Sequence, residues 1–330
     1  MKSIKKENTT STIKSYINLL RIRQWYKGGV VVMGMVFGGK ILDIFTGNFF
    51  TYLGVFLGFV VLGLISSINY IINDIFDIEK DKKHPEKSKR PLASGELSVP
   101  SAIITIICIV AIIIAILWYL ISNLIGEDWT FWFNASIIAL FLNGLFYNLF
   151  LKKIVFVDII SLSLNFIFRT MAGCFIAKVE FSPWLYIIVF EVALFLAVNK
   201  RISDLEYLGS EAVNHKQIYS EYDNEILNNL TQMMATSLFI TYTIYCIVDP
   251  VIIPDSLTEV THNRGFILFS VPVAFYLILR YLYLSKKFPE IARNPEKVIK
   301  DIPIVLAAII LVSMILLSNY IFIIIRTNGL

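Results

Sequence analysis

Soft-metal and thiol chemistry have little to work with in this chain. Its three cysteines, Cys108, Cys174 and Cys246, lie in apolar stretches with no CxxC or Cys/His spacing, which excludes a disulfide framework and leaves them as small packing residues. The three histidines, His84, His215 and His262, show no HExxH or paired spacing, so neither a zinc site nor a Ser/His/Asp triad has support. Charge is scarce as well. Of 330 residues 16% are charged and 57% hydrophobic, with a mean hydropathy of +0.71, far from the balance of a soluble globular domain. A phosphate-binding loop also fails: GMVFGGK at 34–40 has the Gly and Lys spacing, but Ile41 stands where Ser or Thr is needed and no strand precedes it.

What the chain does have is long apolar runs. Crossing a bilayer takes roughly 20 mostly apolar residues per helix. Nine stretches qualify, at about 27–46, 50–73, 100–124, 130–150, 154–177, 182–199, 226–248, 265–285 and 302–325. The fold expected is therefore all-α: a polytopic membrane bundle of nine transmembrane helices, with residues 1–26 a basic cytoplasmic segment and 27–330 a single catalytic domain. The N-terminus is polar and basic for too long to be a signal peptide. Lys and Arg near helix ends are retained in the cytoplasm. With the N-terminus inside, only Lys40, Lys178, Arg264 and Arg326 fall outside and Arg169 falls within a span. This places the C-terminus outside and the charged loops at the cytoplasmic face of the plasma membrane. The net charge of +4 then faces anionic lipid headgroups or phosphorylated substrates, with no nucleic-acid signature beside it.

Chemistry concentrates in SSINYIINDIFDIEKDKKHPEKSKRPLASGELS, at the cytoplasmic end of the second apolar run. Asp74, Asp77 and Asp81 are spaced by three and four residues, which on a helix puts them on one face. Asn73 adds a neutral oxygen donor. Such oxygen stripes suit Mg²⁺, shared with substrate phosphates. Lys82, Lys83, Lys87, Lys89 and Arg90 follow, so metal-holding acids and phosphate-neutralising bases sit together, the two halves of a diphosphate site.

A second cluster, FEVALFLAVNKRISDLEYLG, holds Glu191 within an apolar run and Lys200, Arg201, Asp204 and Glu206 at its mouth. Ionisable residues inside a span are expensive and face the bundle interior. Arg169 in VFVDIISLSLNFIFRTMAG is read either as a phosphate ligand or as the partner of a buried acid such as Glu191; Asp158 in the same run also turns inward. In RIRQWYKGG, the basic and aromatic residues serve as an interfacial anchor, with Lys27 at the mouth of the span a candidate phosphate contact.

NDIFDIEKD followed by HPEKSKRPLASGELS resembles the NDxxDxxxD signature of the UbiA superfamily of intramembrane prenyltransferases. RIRQWYK, KSKRPLASG, FRTMAG, ALFLAVNKRISDLEYL, LRYLYL and NPEKVIKDIPI are similar to its decaprenyl-phosphate phosphoribosyltransferase branch. The resemblance implies a UbiA-like bundle with a cytoplasmic-side cavity and Mg²⁺-dependent transfer of a 5-phosphoribosyl group. Donor and acceptor would be phosphoribosyl diphosphate and a polyprenyl phosphate, for cell-envelope synthesis. It implies metal ligation by Asp74, Asp77 and Asp81, with Lys200 beside them in catalysis. Substrate contacts would come from Lys27, Asn73, Lys83, Lys89, Arg90, Arg169, Arg201 and Asp204. The partners are those two substrates and membrane lipids, with self-association into a homo-oligomer left open.

One departure stands out. Prenyltransferases of the superfamily usually carry a second DxxxD, whereas here the residue four after Asp204 is Leu208. The alternative within the superfamily is prenyl transfer from an isoprenoid diphosphate to an aromatic or glycerol-phosphate acceptor. A transporter is disfavoured, because no inverted repeats are discernible and charge gathers at one mouth instead of along a midplane path.

Overall fold

The computed structural model describes residues 12–37, 40–41, 49–83, 87–209, 217–248 and 265–327. His84, His215 and His262, the first eleven residues, and Gly38 and Gly39 of the glycine-rich segment lie outside the described residues. All regular structure among the described residues is helical. In chain order it runs α1 (12–20), a 3-10 helix (Ile22–Val32) continuing into α2 (Met33–Phe37), α3 (Phe49–Phe76), α4 (Ile78–Lys82), α5 (Val99–Leu120) with a π turn (Ile121–Ile125), and α6 (Glu127–Leu149). There follow α7 (Val157–Ile176), α8 (Pro183–Leu208), α9 (Asn224–Ile247), α10 (Gly265–Leu268), α11 (Val271–Lys287), α12 (Pro289–Arg293) and α13 (Ile302–Thr327).

Eight of the apolar runs coincide with helical segments, although α8 continues past the expected end at 199 to Leu208 and the 265–285 run is split between α10 and α11. Five described helices, at Phe49–Phe76, Val99–Ile125, Glu127–Leu149, Val157–Ile176 and Asn224–Ile247, are long and apolar enough to cross a membrane. The run expected over 27–46 differs: it begins as a 3-10 helix and becomes α-helical only at Met33. Its sequence explains the tighter winding, since Gly28 and Gly29 and the β-branched Val30, Val31 and Val32 are all poor α-helix formers. Boundaries elsewhere follow local chemistry. Ser98 caps α5 by accepting from the Ser101 amide, and Ser182 and Asp223 do the same for α8 and α9.

The chain divides into two compact units. The first comprises Met1–Gly34, Asp43–Leu149 and Phe168–Val179; the second comprises Met35–Leu42, Phe150–Ile167 and Glu180–Leu330. Helix α7 therefore contributes its first half to the second unit and its C-terminal half to the first.

In the first unit, small residues let backbones touch. A Cβ placed on Gly34 would lie 2.7 Å from the Cys174 backbone, and one on Gly173 would overlap the Val31 carbonyl. Lipid offers apolar helices no hydrophobic drive to associate, so close backbone approach supplies the contact. The Trp25 ring lies against Gly63 in the same way, 2.6 Å from where a Cβ would stand, with its indole N–H donating to Ser67 Oγ at 3.1 Å.

The second unit has three apolar clusters. Val198, Ile202, Ile218, Tyr219, Tyr222 and Leu227 join α8 to the start of α9. Tyr242, Cys246, Ile267 and Ile315 fill another, and Phe195, Leu238, Ile278, Tyr281 and Ile304 a third. Asp301 starts α13 by accepting from the Ile304 amide at 3.0 Å, while Arg280 grips both its oxygens at 3.1 and 2.8 Å.

Two outcomes are expected. Gly173→Ala should cost about 1–3 kcal/mol through a backbone overlap that cannot relax, whereas Gly29→Ala, with nothing within 4 Å of the added atom, should leave the detergent melting temperature unchanged. The hydrogen bond from Arg280, its first cause, holds the Asp301 carboxyl below the usual carboxylate range. Its stabilisation is thus complete above the ordinary aspartate value and lost as pH falls through the lowered one. Asp301→Ala should cost about 1 kcal/mol at neutral pH, with the gap to wild type closing in strong acid; a gap independent of pH would remove the ion pair from the account.

Candidate functional site

The acidic stripe forms where α3 runs out of apolar sequence. Asp77 (φ −99°, ψ 9°) separates α3 from α4, but the helical path continues across it: the Asp77 amide reaches Asn73 O at 3.0 Å and the Asp81 amide reaches Asp77 O at 2.7 Å. Asp74 and Asp81, two turns apart, are 3% and 2% exposed, while Asp77 is half-buried.

Both buried carboxylates turn to one cation. Arg90 Nη1 donates to Asp74 Oδ1 at 3.0 Å and to Asp81 Oδ2 at 2.6 Å. The following turn delivers it: the Ser94 amide bonds to Arg90 O, the Leu97 amide to Pro91 O, and Leu92 and Leu97 are buried. Arg21 completes the group, its Nη2 donating to Asp74 Oδ1 at 2.5 Å and its guanidinium lying 4.7 Å from the Tyr70 ring centre. Arg21 reaches there because it sits in the left-handed region (φ 49°) between α1 and the 3-10 helix. Ser15 Oγ on Glu96 at 2.6 Å and Ser67 Oγ on Leu20 O at 2.6 Å strap the N-terminal segment down. Burial, opposed by Asp74, lowers the Arg21 pKa; burial, then the charge of Arg90, lowers that of Lys87.

Among the described residues no group of three His, Cys, Asp or Glu side chains is disposed to hold a metal ion. Of the three aspartates spaced for one face, Asp74 and Asp81 are drawn together on Arg90, while Asp77, at the junction of α3 and α4, is half-buried. The pair nevertheless fits a hard cation. Two carboxylates converge on a single positively charged atom, and their oxygens are the donor type that Mg²⁺ prefers. Lys83 and Lys89 are exposed and Asn73 and Lys27 half-buried, with Lys27 Nζ 5.9 Å from the Tyr26 ring centre. Arg169, 8% exposed, donates to Ser66 Oγ at 2.9 Å.

The second cluster is built differently. Arg201 donates from Nε and Nη2 to Asp158 Oδ2 at 3.1 and 2.8 Å and from Nη1 to the Tyr219 hydroxyl at 3.1 Å. Tyr222 donates to Asp158 Oδ1 at 2.5 Å, and Tyr219 to Asp204 Oδ2 at 2.7 Å. Arg293 donates to Asp204 Oδ1 at 3.0 Å and stacks 4.1 Å from the Tyr207 ring centre. Burial raises the pKa of both Tyr219 and Tyr222, keeping them as neutral donors. Arg201 and Asp204 are therefore occupied by neighbouring side chains, while Lys200 lies half-buried beside them. Glu191 accepts from Ser237 and, at 3.2 Å, from Thr241.

Arg21, Tyr70, Arg293, Tyr219 and Tyr222 escaped the sequence reading as site residues. Arg21 carried a signal, a cation beside the mouth of the first span, but the anchor explanation accounted for it equally well.

A profile of the UbiA prenyltransferase family matches residues 30–207. The protein y4nM of Sinorhizobium fredii is 32% identical over 190 residues, spanning 57% of this chain and 34% of that protein, so the chain covers about a third of this relative's length. The decaprenyl-phosphate phosphoribosyltransferase of Mycolicibacterium smegmatis is 26% identical over 237 residues, 70% of this chain and 69% of that one. Among solved structures, a UbiA homolog from Archaeoglobus fulgidus bound to GPP and Mg²⁺ superposes with a TM-score of 0.62 over 93% of this chain and 99% of its own, at 17% identity, and so shares the fold. With the profile covering more than half of its length, this all-helical membrane chain belongs to the UbiA prenyltransferase family.

Proposed function

We propose that the protein transfers a 5-phosphoribosyl group from phosphoribosyl diphosphate to the phosphate of a polyprenyl lipid, releasing diphosphate. The observation that carries the reading is the convergence of Asp74 and Asp81 on Arg90 with Arg21 alongside. Acids for a cation and guanidinium forks for phosphate oxygens stand together at the end of one apolar helix. The likeness to the M. smegmatis phosphoribosyltransferase over most of both chains supports this choice of donor. Residues 27–330 would act as one nine-span catalytic domain at the cytoplasmic face.

In this mechanism Asp74 and Asp81, with Asp77 about a turn from each and Asn73 next to Asp74, would hold Mg²⁺. When bound there, the ion supplies positive charge against the diphosphate leaving group. Arg21 and Arg90 bind diphosphate oxygens bidentately, which a Lys could not do, and Lys83, Lys87 and Lys89 lend their charge from the adjoining loop. The lipid phosphate oxygen, already an anion, attacks the ribose C1. The new C1–O bond forms as the bond to diphosphate breaks, and the leaving group carries the electron pair. No general base is required. Lys27 and Arg169 of the first unit are assigned to the remaining phosphates.

Asp204 separates this reading from prenyl transfer. A second acidic metal set needs a further carboxylate four residues on from Asp204, and that position is Leu208. Favouring the alternative is the fold shared with a homolog solved with GPP and Mg²⁺.

One assay tests both. Detergent-purified protein with Mg²⁺, radiolabelled phosphoribosyl diphosphate and a polyprenyl phosphate should yield labelled lipid. Chelation of the metal or Asp81→Asn should reduce turnover by about 10²–10³-fold. Consumption of a prenyl diphosphate with a small acceptor, and no labelled lipid, would replace this function by the alternative. Arg90→Ala should lose activity and also about 3–5 kcal/mol of stability, because it strands two buried carboxylates. Arg90→Lys should recover part of the stability but little of the turnover. Equal recovery of both would deny the guanidinium fork a role in substrate binding.

A further inference from the structure

We propose that the crevice between α9 and α11, within the second unit, is a binding site for the phosphate headgroup of an anionic membrane lipid. It encloses about 540 Å³ and is lined by Asn228, Thr231 and Gln232 of α9 and by Leu282, Tyr283, Lys286 and Lys287 of α11. None of the acidic cluster of the first unit takes part, and no carboxylate lines it.

The lining is a set of donors. Lys287 Nζ donates to the Tyr283 hydroxyl at 2.8 Å, which leaves the hydroxyl's own hydrogen for another acceptor. Lys286 has no carboxylate partner among the described residues, and Glu290, three residues beyond Lys287, is already paired with Lys297 at 2.6 Å. Asn228 spends an amide hydrogen on Asn224 O and Thr231 its hydroxyl hydrogen on Leu227 O. The remaining donors are the two ammonium groups, the Tyr283 O–H, the Gln232 amide and the second amide hydrogen of Asn228. Two positive charges with neutral donors around them match a tetrahedral phosphate.

Lysines in the last turn of a helix also suit its macrodipole, which accounts for their presence but not for the amide-lined hollow opposite. A second feature selects a lipid over a free ion. Tyr276, Leu279, Tyr283 and Lys286 recur at helical spacing on one stripe of α11, and the first three are 42%, 48% and 46% exposed. An outward apolar and aromatic stripe that ends in lysines offers a surface for an acyl chain beneath a headgroup.

The test is native mass spectrometry of the detergent-purified full chain incubated with phosphatidylglycerol or with phosphatidylcholine of the same acyl chains. Wild type should retain phosphatidylglycerol selectively, and Lys286→Ala with Lys287→Ala should lower that retention roughly tenfold or more without changing retention of phosphatidylcholine. The Lys286→Arg, Lys287→Arg protein should keep it. Should the double alanine variant fold poorly, Tyr283→Phe, which removes one donor and keeps the ring, should lower retention a few-fold. Undiminished retention in the folded variants overturns the proposal. So does displacement of the lipid by inorganic phosphate at millimolar concentration, which would make a free phosphate the ligand. Asp81→Asn, in the proposed active site, should lower turnover while leaving lipid retention intact, so the two proposals fail separately.

Discussion

Two carboxylates buried at the end of an apolar helix cannot stand without a cation, and much of the first unit is arranged to supply one. Desolvating an ionised carboxylate costs several kcal/mol unless a partner of opposite charge comes with it. Asp74 and Asp81 obtain that partner from Arg90, nine residues beyond the second of them, which requires the loop to double back through the turn at 90–97. They obtain a second from Arg21, which requires the N-terminal segment to lie along α3, held by Trp25 on Ser67 and Ser67 on Leu20. The close backbone approaches at Gly34 and Gly173, and the seat that Gly63 leaves for the Trp25 ring, make that course sterically open.

The parts of this arrangement visible in the sequence are those encoded locally. Long apolar runs become helices because a segment that must satisfy its own backbone in lipid has no other local choice, so eight runs and helices coincide. The first run misled because apolarity alone does not count glycines and β-branched residues against the helix. The spacing of Asp74, Asp77 and Asp81 singled out a stretch whose first and last acids meet one cation, yet that this cation is Arg90 could not be read from spacing. Long-range partners were the least legible. Asp158 finds Arg201 across 43 residues and Arg21 finds Asp74 across 53, while local reading offered Glu191 for Arg169 and a lipid anchor for Arg21. Glu191 and Arg169 each meet hydroxyls of their own unit.

Exposure distinguishes the Arg201–Asp158 pair from the acid–arginine cluster of the first unit. In the second unit the Arg201 and Asp158 side chains are 3% and 1% exposed, and two neutral tyrosine hydroxyls close the remaining valences. An ion pair so sealed cannot trade its partner for a soluble ligand without dismantling the core around Leu227 and Ile202, so its contribution lies in fixing α7 against α8. In the first unit the acids are equally buried, but Arg21 and Arg90 are 17% and 24% exposed. Their guanidinium groups reach water on one side and carboxylates on the other. Such a cation can turn toward another anion once a second cation takes its place on the buried carboxylates, which would otherwise be stranded. On that physical ground the acid–arginine cluster of the first unit, and not the sealed pair of the second, is the one that supports the proposed binding of a multiply charged phosphate substrate.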